Sequence, residues 1–121
     1  MGNRATISVE TETSKSAVYI YLHWNGSREQ VIEVVKAAAP RMRRGDVSYA
    51  TARLIGEFHN RIKGGLSLGV MAASEENREP YDNGHYTIDI GAGIITQEVM
   101  SMDNDTWSGA VVAEGIEMGQ F

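Results

Sequence analysis

The chain has 121 residues, a net charge of −5, 42% hydrophobic residues and no cysteine. That length suits one domain with a single core, and the missing cysteine excludes disulfides, thiolate catalysis and cysteine-ligated zinc. No apolar run approaches the roughly 20 residues of a membrane span and the first ten residues carry no signal-like apolar stretch, so a cytoplasmic protein is expected.

In chain order, Thr6–Glu10 alternates, with Ile7 and Val9 predicted inward and Thr6, Ser8 and Glu10 outward, and reads as a first strand. A polar loop, Thr11–Ser16, leads to a second strand over Ala17–Trp24, in which Val18, Ile20, Leu22 and Trp24 face the core and Tyr19, Tyr21 and His23 face away. Asn25-Gly26 permits a tight turn, and Ser27 with Gln30 fits a capping box that starts a helix running to Pro40. Val31, Ile32, Val34 and Val35 form its apolar stripe. Beyond the basic connector Arg41–Gly45, Asp46 or Ser48 caps a second helix whose buried stripe is Val47, Ala50, Leu54, Phe58 and Ile62, with Arg53, Glu57 and Arg61 at i,i+4 spacing on another face. Gly64-Gly65 ends it.

Leu66, Leu68 and Val70 mark a third strand, and the acidic segment Ala73–Pro80 a long loop. After the Asp82-Asn83-Gly84 turn, Tyr86, Ile88 and Ile90 alternate with His85, Thr87 and Asp89 in a fourth strand. Gly91-Ala92-Gly93 breaks the chain before a fifth strand at Ile94–Val99 and a weaker sixth at Trp107–Val112, and Ala113–Phe121 has no period and is expected to fray. The expected fold is α+β: a mainly antiparallel sheet of four to six strands with two helices on one face, in the order ββααββ plus one or two C-terminal strands. One domain over 1–121 is expected, with its core in 4–100 and a C-terminal extension at 101–121. The second sheet face would then carry Tyr19, Tyr21 and His23, joined by His85, Thr87 and Asp89 if their strands are neighbours.

Charge is distributed unevenly. Residues 1–35 carry −1, residues 36–63 carry +5 and residues 64–121 carry −9, with Arg78 the sole cation of the last segment. The simplest expectation is that basic middle and acidic end neutralise each other within the fold. Arg41, Arg43 and Arg44 could instead meet phosphates, although nucleic-acid binders usually pair a net basic domain with nearby aromatics, and the aromatics here look to be elsewhere.

His23, His85 and Asp89 could share a face, but no HExxH or His-x-His spacing supports a metal site, and the glycine pairs lack the lysine and strand-to-helix setting of a phosphate loop. No catalytic residue, cofactor or metal is expected. Trp24 would staple the strand end to the helix, while tyrosines and His23 on an open face suit protein binding.

The strings MGNRA at Met1–Ala5, YLHWNG at Tyr21–Gly26, ARLI at Ala52–Ile55, LSLGV at Leu66–Val70 and YDNGHYTID at Tyr81–Asp89 make residues 1–90 resemble a family of small phage- and prophage-encoded proteins. The segment after Gly91 departs from that pattern. The resemblance carries no catalytic residue; it implies a mobile-element accessory protein, a class rich in inhibitors of host defence. The expected function is therefore a non-enzymatic protein of anti-CRISPR type that occupies the surface of a host protein or nucleoprotein complex. The partner-binding residues expected are Glu75, Glu76, Glu79 and Asp82 of the acidic loop with Tyr19, Tyr21 and His23 of the sheet face. A nucleic-acid binder using Arg41–Arg44 is the alternative and a small hydrolase the third reading; a homodimer through an exposed sheet edge is compatible with the same layout.

Overall fold

A strand with one apolar and one polar face has to bury the first and can leave the second to water, and this chain builds its sheet from such strands. The structure, a computed structural model, describes residues 2–61, 68–79, 81–101 and 104–118. Strands β1 (Ala5–Glu10) and β2 (Val18–Leu22) pair antiparallel, with Ala5 opposite Leu22 and Ile7 opposite Ile20. On its other side β1 pairs in parallel with β4 (His85–Asp89), Ile7 beside Tyr86 and Val9 beside Ile88. With β3 (Leu68–Ala72), β5 (Ile94–Met100) and β6 (Trp107–Glu114), the sheet has the order β3-β2-β1-β4-β5-β6, and every other pairing is antiparallel.

Register puts Ala5, Ile7, Val9, Ile20, Leu22, Tyr86, Ile88 and Ile95 on one face. These join Val31, Val34 and Val35 of helix α1 (Arg28–Ala38) and Val47, Ala50, Leu54 and Phe58 of helix α2 (Val47–Arg61) in a single buried cluster, so the buried sides of both helices meet this face. The other face carries mainly polar side chains, among them Thr6, Ser8, His85, Thr87 and Thr96. Fold class and element order are as the sequence predicts.

Several local expectations are corrected. β2 stops at Leu22 and the chain bends over 23–25, so the alternation ends before Trp24, which is 38% exposed rather than in the core. Ser27 is the N-cap of α1 but makes no capping bond; its hydroxyl donates to Gln30 Oε1 at 2.7 Å, and Gln30 in turn bonds Asn25 and Asn3 instead of the helix backbone. Asp46, not Ser48, caps α2, accepting from the Tyr49 N–H at 3.0 Å. Pro40 does not stop α1 abruptly, since a 3₁₀ turn, Ala39–Arg41, follows with proline in its first turn, where no amide donor is needed. Arg61 takes Glu57, and Arg53 turns to Tyr49. Ile62, Gly64, Gly65 and Leu66 lie outside the described residues.

The tail is the largest correction. Ala113 and Glu114 belong to β6, Gly115 turns the chain at φ +67°, and Ile116 and Met118 enter the core, with the Ile116 amide donating to the Gly93 carbonyl at 3.2 Å. Two apolar residues spaced by two are too few to show as a period in sequence, yet they close the core beside β5.

Two pairs of substitutions test this account. Leu22→Ala should cost about 2–5 kcal/mol in denaturant unfolding, and Tyr21→Ala on the opposite face less. Asp46→Ala should cost about 0.5–2 kcal/mol as a lost cap. Ser27→Ala should cost clearly less, and equal losses at Asp46 and Ser27 would restore the capping box.

Candidate functional site

The face away from the helices carries Thr6, Ser8, Tyr19, Tyr21, His85, Thr87, Thr96 and Glu98 by register. Because β3 and β4 are separated by β2 and β1 in the sheet, the β3–β4 connection has to cross two strands, and side chains from it meet this uncovered face. Asn77 fixes its 3₁₀ turn (Glu75–Asn77) by donating to the Ala72 carbonyl at 2.8 Å. Arg78 reaches Glu98 of β5 and lies 4.5 Å from the Trp107 ring centre. Tyr81 packs on Tyr21 at 5.3 Å between centroids, and Arg4 stacks over its other neighbour side at 5.4 Å.

Between this crossing and the sheet lies a cavity of about 500 Å³ whose floor is Ser8, His85, Thr87 and Thr96 and whose walls include Tyr19 and Arg78. His85 is buried, with Nδ1 2.7 Å from the Thr6 hydroxyl and Nε2 2.9 Å from the Ser8 hydroxyl, and Tyr19 packs over it at 4.8 Å. Serine, histidine and an orienting hydroxyl form, in outline, a nucleophile–base row. The energetics are wrong for it: burial, followed by the nearby Arg78 charge, lowers the His85 pKa to about 3. An imidazole that resists protonation this strongly is a poor base for serine. His85 in this row is a neutral histidine whose two nitrogens are both satisfied by hydroxyls. Among the described residues no three His, Asp or Glu side chains are grouped to hold a metal ion.

The seven expected binding residues fall into three sets. Glu75, Glu76 and Glu79 are exposed and have no ion-pair partner among the described residues. Asp82 is tied to Arg4, accepting from its backbone N–H at 3.0 Å and its Nε at 3.2 Å, bonds that hold its carboxyl below the usual value; it serves the turn before β4. Tyr19, Tyr21 and His23 share the open face as expected and are half-buried, and the Tyr21 hydroxyl meets His23 Nδ1 at 2.8 Å. His23 also packs its ring against Trp24 at 5.3 Å, which extends the aromatic row to the end of β2. Sequence reasoning missed Arg78 and Trp107, although a lone cation in a segment of net −9 was a visible signal.

Among the described residues the basic middle and the acidic end form no ion pair, although Arg44 shares a groove with Asp89. The described ion pairs are Arg4–Asp82, Arg61–Glu33, Arg61–Glu57 and Arg78–Glu98, and none joins residues 36–61 to the acidic end. Nor are the aromatics elsewhere: Tyr49 lies between Arg43 and Arg53, at 4.4 and 5.0 Å from its ring centre. No described helix is long and apolar enough to cross a membrane. Comparison with protein families, with curated proteins and with solved structures finds no match for this chain.

The low His85 pKa predicts a pH dependence. Above about pH 6.5 the ring is neutral folded and unfolded, and its contribution is complete; between 6.5 and about 3 only the unfolded chain takes up the proton, so stability falls as pH falls. The stability gap between wild type and His85→Gln should narrow by about 1.4 kcal/mol per pH unit across that window. A gap that stays constant from pH 7 to pH 4.5 would place the proton on His85 in the folded state.

Proposed function

We propose that this chain is a non-enzymatic binding protein that occupies a partner's surface with its open sheet face. The observation that carries this reading is the acidic turn. Glu75, Glu76 and Glu79 stand exposed beside the aromatic row, without ion-pair partners among the described residues, on a connection held down by Asn77, Arg78 and Tyr81. A charged rim around tyrosines that lose little entropy on binding is the usual composition of a recognition surface, and the rigid anchorage limits the ordering cost. We infer a phage-encoded origin from the strings in residues 1–90, and on that reading the partner is a host defence nuclease complex, inhibited by occupation as an anti-CRISPR protein would. The acidic turn would then meet a basic surface evolved for phosphate.

Affinity capture from a nuclease-treated bacterial lysate, paired with a phage-plating assay in a host with active defence, tests the proposal. Glu75→Gln, Glu76→Gln and Glu79→Gln together should remove both capture and protection, since each charge-assisted contact is worth about 1.5–3 kcal/mol. Asp82 is left intact because its loss would release Arg4. Replacing Arg41, Arg43 and Arg44 should leave protein capture unchanged. Should the glutamate variant, shown to be folded, capture and protect like wild type, the acidic turn is not the contact.

A further inference from the structure

We propose that Arg43 and Arg53, ordered around Tyr49 on the helix layer, form with Arg41 and Arg44 a second binding surface for the phosphodiester backbone of a nucleic-acid strand. The inference rests on how these arginines are held, and not on the protein-binding reading above. Three other arginines pair with carboxylates, Arg4 with Asp82, Arg61 with Glu33 and Glu57, and Arg78 with Glu98, while Arg28 donates to the side-chain amide of Gln97. On the helix layer the supports are neutral. Arg43 stacks on the Tyr49 ring, and Arg53 lies over the same ring and donates Nε and Nη2 to its hydroxyl at 2.9 and 2.6 Å. Arg44 donates Nη1 to the Gly91 carbonyl at 3.2 Å. Arg41 lines one notch with Arg53, Gly56 and Asn60. An aromatic face, a hydroxyl and a carbonyl position guanidinium groups without neutralising them, leaving planar forks suited to phosphate oxygens.

Of the neighbouring acids, Asp46 is engaged at the α2 cap, and Glu57, which lines the notch with Arg41 and Arg53, is engaged with Arg61; Glu10, Glu12 and Asp89 line a groove with Arg44 without an ion pair to it among the described residues. The acidic turn belongs to the opposite side of the sheet, so the local charge of the helix layer, and not the net −5 alone, sets what this layer attracts. The patch lacks the apolar centre a protein interface needs. It also lacks the exposed apolar anchors of a membrane-surface helix: the exposed large hydrophobics Trp24, Val70, Val99 and Val111 are on other elements. Charge alone is sufficient for a phosphodiester backbone.

The test is fluorescence anisotropy of the full chain with a labelled oligonucleotide, single-stranded and duplex, from 50 to 200 mM salt. Four phosphate contacts predict an affinity loss of about 50-fold for the single strand and about 150-fold for the duplex over that range. Arg43→Gln with Arg53→Gln should weaken binding at 50 mM and halve the salt exponent. Tyr49→Leu keeps every charge, so it should weaken binding with the exponent unchanged, which a purely electrostatic surface would not show. The triple glutamate variant should bind oligonucleotide at least as well as wild type, so failure of the acidic-turn reading leaves this one standing. Absence of binding at 50 mM salt, equal affinity in the double glutamine variant, or binding only to phosphatidylserine vesicles would overturn the proposal. Should the double glutamine variant fail to fold, Arg43→Lys with Arg53→Lys replaces it: weaker binding with an unchanged exponent is expected, and wild-type affinity would overturn the proposal.

Discussion

The Tyr86 hydroxyl is buried in the core of the sheet, where an unpaired polar group costs about 1–3 kcal/mol, and the satisfaction of that one group ties the architecture together. It donates to the Gly26 carbonyl at 2.8 Å and accepts from Gln97 Nε2 at 3.1 Å, and burial pushes its pKa up to about 12, so it stays a donor. Gln97 also donates to the Asn83 carbonyl and accepts from Arg28. Through this hydroxyl β4 is fixed to the turn that starts α1, to the turn that precedes β4 itself, and to β5. Around it, Gly26 N–H donates to the Asn3 carbonyl, Asn83 bonds Asn3, and Asn3 bonds Gln30. A Cβ on Gly26 would lie 2.5 Å from the Asn3 carbonyl oxygen, and one on Gly84 2.0 Å from that of Glu98, which is why glycine stands at both turns. The strings MGNRA, YLHWNG and YDNGHYTID thus meet at one structural corner. Their distinctiveness has an architectural cause, and it needs no active site to account for it.

That corner fixes the parity of the whole sheet. With Tyr86 inward beside Ile7, His85 and Thr87 have to point to the other face, beside Thr6 and Ser8. His85 is then buried without reaching the apolar core, because the β3–β4 connection and Tyr19 close over it. Two hydroxyls satisfy its ring, and Arg78 discourages a proton. The cavity and the aromatic row follow from a topological fact: a connection that jumps two strands takes the only face the helices leave open.

Period-two alternation made β1, β2, β4 and β5 legible in the sequence, because one face of each is buried and the other is not. It failed where that contrast fades. Trp24 continues the pattern by type but sits past the last ladder bond of β2, and only the bend at 23–25 tells the two apart. Ser27 and Gln30 have the spacing of a capping box, yet long-range partners such as Asn3, remote in sequence, claim Gln30 first. Parallel pairing of β1 with β4 was not readable either, since it follows from the path of the β3–β4 connection and not from any local pattern. Of the candidate site, Tyr19 and Tyr21 on one face were legible from parity, whereas His23 lies in the bend after β2 and joins them through the Tyr21 hydroxyl. Asp82 is the exposed acid expected, but its ties to the Arg4 amide and guanidinium, 78 residues away, were not legible.

Charge tells a similar story at larger scale. Summed by segment, +5 and −9 suggest attraction, but among the described residues no ion pair joins the two, and where they meet Arg44 donates to the Gly91 carbonyl. Folding gains little from the segregation and gives up the pairs it could have made, such as Arg53 with Glu57, where Tyr49 takes the arginine instead. Exposed ion pairs are worth about 0–1 kcal/mol each, so forgoing them costs little stability. Surface charge of each sign is thereby left available, the acidic turn on one side of the sheet and Arg43 and Arg53 on the helix layer.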